Sequence, residues 1–93
     1  MAKFYFTYGV DKAFPFQGGW TEIEAPDMDT ACSVFQGIHP NRPNSVCLNC
    51  SDIYTEERFS KTKMAAENDN MGAACWERIT VSREVFFKKE NET

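Results

Sequence analysis

The chain of 93 residues holds no apolar run of the length needed to span a bilayer, which takes about 20 residues. It also lacks a secretory apolar region, since Met1, Ala2 and Lys3 lead straight into alternating aromatics. A cytoplasmic protein is the expectation, with no membrane partner. Positive charge is short: ten Lys and Arg stand against fourteen Asp and Glu, a net charge of −4. That balance argues against direct binding to nucleic acid through its phosphates. A long Asp/Glu run is absent too, which argues against imitation of DNA. There is one histidine, no carboxylate pair placed as acid and base, and no widely spaced glycine motif for phosphates. No catalytic residue and no cofactor are therefore assigned, and a non-enzymatic protein is expected. Four cysteines without an export signal read as reduced thiols.

What the chain has is an ordinary globular mixture, 42% hydrophobic and 26% charged, with aromatics at 14%. It is expected to fold as one domain over 1–93, with a core over 1–87, a mobile polar loop over 64–74 and a frayed tail over 88–93. Phe4, Phe6 and Tyr8 alternate with Lys3, Tyr5 and Thr7, the period of a half-buried strand. Gly9 to Gly19 is a loop that folds back on the core through Phe14 and Phe16. A second strand over 19–25 places Thr21, Ile23 and Ala25 on one face and Trp20, Glu22 and Glu24 on the other.

Pro26 and Asp27 open the main helix, with Asp27 as N-cap. Its buried stripe is Met28, Ala31, Cys32, Phe35 and Ile38, and it ends at Pro40. Val46 to Leu48 reads as a short strand. Thr55 reads as the N-cap of a second short helix, with Tyr54 and Phe59 as its hydrophobic staple. Cys75 to Phe87 gives the longest strand signal, with Ile79, Val81 and Val85 on one parity and Trp76, Arg78, Thr80 and Ser82 on the other. The expected fold is α+β: a small antiparallel sheet of three to four strands, one main helix on one face and a second short helix.

Alternation applied strand by strand puts Tyr5, Trp20 and Trp76 on the sheet face opposite the main helix, with Glu22, Glu24, Arg78 and Thr80. Trp, Tyr and Arg are frequent anchors of interfaces. These residues are the candidate partner-binding surface. Otherwise the Phe14 to Phe16 loop, the short helix or a second copy of the chain covers the rings, the last making a homodimer.

A second reading uses Phe14, Phe16, Gly18, Gly19 and Trp20 as a small-nucleotide site, with backbone amides beside stacking rings. A third takes Cys47, Cys50, Cys75 and His39 as zinc ligands, set against plain thiols and a helix-capping histidine.

The whole chain, and especially Phe4 to Gly9, Gly18 to Phe35 with its Gly-Gly-Trp-Thr and Glu-Ala-Pro-Asp-Met-Asp-Thr-Ala segments, and Leu48 to Phe59, resembles small uncharacterised proteins of phages and prophages of gut-type Gram-positive bacteria. The resemblance transfers no functional residue. It implies a context in which small accessory proteins inhibit host defence, as anti-CRISPR proteins do, or sequester signalling nucleotides. The function expected is stoichiometric binding to a host protein, such as a nucleic-acid-handling defence effector. A nucleotide sponge and a zinc-stapled interaction module are the alternatives.

Overall fold

The computed structural model describes residues 1–62, 65 and 75–81. The expected loop over 64–74, apart from Ala65, lies outside these residues, as do positions 82–87 of the expected strand and the expected tail over 88–93, and the described part of that strand ends at Thr80. In chain order the elements are β1 (Ala2–Thr7), β2 (Trp20–Ala25), α1 (Met28–Ile38), β3 (Asp52–Thr55), α2 (Glu56–Phe59) and β4 (Cys75–Thr80). The fold is α+β, with one main helix and one short one. One four-stranded sheet runs in the order β3-β1-β2-β4.

β1 pairs antiparallel with both β2 and β3, whereas β4 runs parallel to β2. The sheet is thus mixed rather than wholly antiparallel. Side-chain period reports which residues face inward but carries no information on strand direction. The connection between β2 and β4, which passes through α1, β3 and α2, has the length a parallel pairing requires.

The inward parity holds. Phe4, Phe6, Tyr8, Ile23 and Ala25 meet Ala31 and Phe35 of α1 in one core, with Ile53, Ile79 and Val81 packed against it. Phe6 and Phe35 stack at 4.5 Å. Phe14 and Phe16 pack on the same core, so the loop between β1 and β2 folds back as expected. Gly9, Gly18 and Gly19 have positive φ, and the Gly18 amide donates to the Gly9 carbonyl, closing that loop at its neck.

Asp27 caps α1 by accepting from the Thr30 amide at 2.7 Å. That bond, made to the carboxylate, lowers the Asp27 pKa from its ordinary value. Ile38 departs from the expected stripe and is 42% exposed, while Val34 packs inward. Val46 to Leu48 is not a strand; the strand is β3, which begins later, and Val46 is fully outside the core. Ile53 and Tyr54 supply the alternation there, opposite Phe6 and Tyr5. Thr55 both ends β3 and caps α2, accepting from the Arg58 amide.

Candidate functional site

The face of the sheet away from α1 carries Tyr5 and Trp20, as parity requires, but neither is open. Trp20 is 0% exposed and Tyr5 7%, because Phe59 of α2 lies on both. The Phe59 ring stacks on Tyr5 at 3.9 Å and meets Trp20 edge-on at 4.9 Å. This corrects the expected docking surface: α2 is its cover. Burial, followed by the Glu22 and Glu56 carboxylates, pushes the Tyr5 phenol up to about 12. Further along the same face Glu22 faces Arg78 at 3.7 Å, and Thr80 donates to Glu24 at 3.5 Å.

Trp76 is the exception. A bulge in the β2–β4 ladder between Trp20 and Thr21 sets Cys75 beside Trp20 and Glu77 beside Thr21, so Trp76 occupies the irregular position. Cys75 takes the place beside the buried ring, and burial raises its thiol pKa. Trp76 turns to the other side, stacks on Phe16 at 5.1 Å with 6° between planes, and donates its indole N–H to the Gly18 carbonyl at 2.8 Å. It nevertheless remains 48% exposed.

Behind this ring lies a polar chain across the core edge. Thr21 Oγ1 donates to Glu77 Oε1 at 2.7 Å, so its remaining partner, the Tyr8 hydroxyl, must be the donor to Thr21. His39 Nε2 meets the same Glu77 oxygen at 2.6 Å. A carboxylate only accepts, which makes Nε2 the protonated nitrogen. His39 is therefore not a capping side chain; its backbone N–H alone reaches Phe35, and its imidazole ties the end of α1 to β4. Burial, with Glu77 adding to it, raises the Tyr8 pKa, so the phenol stays a donor. Phe16 lies edge-on to both Tyr8 and His39, at 5.4 and 5.7 Å, and so joins this chain to Trp76.

The sequence reading missed Thr21 and Glu77 as site residues. The available signal was a hydroxyl and a carboxylate on parities that otherwise point inward, where each needs a partner.

The residues of the nucleotide reading are divided. Phe14 lies under the Arg42 guanidinium at 4.7 Å, Phe16 under Trp76, and Trp20 on the opposite face. Among the described residues, Phe14 and Phe16 thus pack on one side of the sheet and Trp20 on the other. An open depression of about 370 Å³ lies at the other edge of the sheet, lined by Cys47, Leu48, Cys50, Ser51, Asp52 and Ile53. The zinc reading is not assembled either: Cys75 is on the α2 side, Cys50 on the α1 side and His39 on Glu77. Among the described residues no three metal-ligating side chains converge. Burial pushes the Cys50 thiol up to about 11.

Comparison with protein-family models, curated proteins and solved structures returns no match. Among the described residues no helix is long and apolar enough to cross a membrane.

Proposed function

We propose that the protein is a non-enzymatic binding protein that docks on a partner protein through the Trp76 corner of β4. The observation that carries this is an indole 48% exposed yet fixed at both its N–H and one face. A large ring already held in place loses little freedom on binding, which is the property of an interface anchor. Arg78 and Thr80, also exposed along β4, lie with Glu22 and Glu24 on the α2 side of the sheet and stand apart from the Trp76 surface.

A fixed and exposed ring is the type of group that anchors a macromolecular interface. The net charge of −4 favours a basic partner and speeds its approach. Combined with the phage-type resemblance, the reading is a stoichiometric inhibitor of a host defence protein. Trp76→Ala tests it. The variant should melt within a few degrees of the parent and lose a partner that the parent captures stoichiometrically from host extract; undiminished capture refutes the reading.

A further inference from the structure

We infer that the Trp76 corner recognises a cation, specifically an arginine side chain of the partner, laid across the free face of the indole. The inference rests on the docking reading above and adds the chemistry of the group docked.

Phe16 covers one face of Trp76 in a nearly parallel stack, and the ring N–H is taken by Gly18. The exposed area is therefore the opposite face and the far edge of the indole. An aromatic face carries the negative part of the ring quadrupole, strongest for Trp, and attracts a guanidinium placed over it. Glu77, the next residue, is 25% exposed at its side chain. Both of its contacts run to Oε1, which leaves Oε2 as an acceptor with no partner among the described residues.

The neighbouring Arg78 does not cancel this field. Arg78 is set against Glu22 on the α2 side. A planar guanidinium can lie flat on the indole with all its N–H donors at its edge, directed to an acceptor such as Glu77, whereas an ammonium offers no flat face to stack. A nucleobase would stack equally well, but its phosphate would meet the carboxylate and an acidic chain. A second copy of the protein would bring like net charge to the same corner.

The test follows the two indole N–H resonances in the full chain, with Trp76→Phe used to assign them. A short arginine-rich peptide should move the Trp76 resonance and leave that of buried Trp20 in place. The matched citrulline peptide keeps shape and loses charge, and should bind about 2- to 30-fold more weakly, the range of a cation over an aromatic face. Glu77→Gln keeps the acceptor for Thr21 and His39, and should weaken the arginine peptide while the Trp20 resonance stays unmoved. Equal binding of the citrulline peptide overturns the inference. So does no Trp76 response to arginine, a stronger response to adenosine monophosphate, or a Trp76 shift on simple dilution of the protein, which would name a second copy as occupant. If any of these occurs while Trp76→Ala still abolishes partner capture, the docking reading survives and only the arginine assignment falls.

Discussion

Phe59→Ala removes the one buried side chain of α2. Phe59 is 4% exposed and closes the sheet face over Tyr5 and Trp20 through a parallel stack and an edge contact. Truncation of a buried Phe typically costs about 3–5 kcal/mol, made of lost transfer energy and the cavity left behind. The aromatic pairs account for about 0.5–1.5 kcal/mol each. Here the upper half of the range applies, because a four-residue helix has no other buried residue to hold it over the space. Against a usual domain stability of about 5–15 kcal/mol, the loss is large but leaves a folded population. With a urea dependence of about 1–3 kcal/mol per molar, the midpoint should fall by about 2 M. Urea melts followed by Trp20 emission in a Trp76→Phe background read both stability and local exposure. Acrylamide should quench Trp20 in the folded variant and not in the parent. Phe59→Leu, which keeps an apolar side chain of intermediate size, should recover much of the midpoint. A loss below about 1 kcal/mol with Trp20 still shielded would show that α2 is not the cover, and the exclusion of Tyr5 and Trp20 from the docking surface would fail with it.

Thr21→Val keeps shape and strips the link between Tyr8 and Glu77; it should cost about 1–3 kcal/mol in chemical denaturation because the buried Tyr8 hydroxyl loses its acceptor, while Thr21→Ser should stay close to the parent. Tyr5, raised to about 12 in the fold against about 10 when unfolded, contributes stability that is complete below pH 10 and lost as pH climbs toward 12. Melting midpoints measured across that window should therefore fall more steeply for the parent than for Tyr5→Phe, and parallel curves would refute the assignment.

Strand alternation in β1 and β2, the Asp27 and Thr55 caps and the apolar stripe around Ala31 and Phe35 were legible because each rests on a period or a local hydrogen bond encoded within a few residues. The position of β3 was harder to read. Ile53 and Tyr54 supply only a brief alternation, and the Tyr54 that marks a helix entry is itself a strand residue opposite Tyr5. Parity placed Tyr5 and Trp20 on the face opposite α1, where they lie. It did not say whether that face is wet.

The amino-acid order by itself determined which side of the sheet each ring in β1 and β2 must take, since successive side chains of an extended chain point to opposite faces. Only the tertiary structure decided that Phe59 seals two of those rings, that β4 runs parallel to β2, and that one bulge turns Trp76 onto Phe16 and brings Glu77 to Thr21 and His39. Those outcomes depend on contacts between residues far apart in the chain, whose register is fixed by packing rather than by any local period.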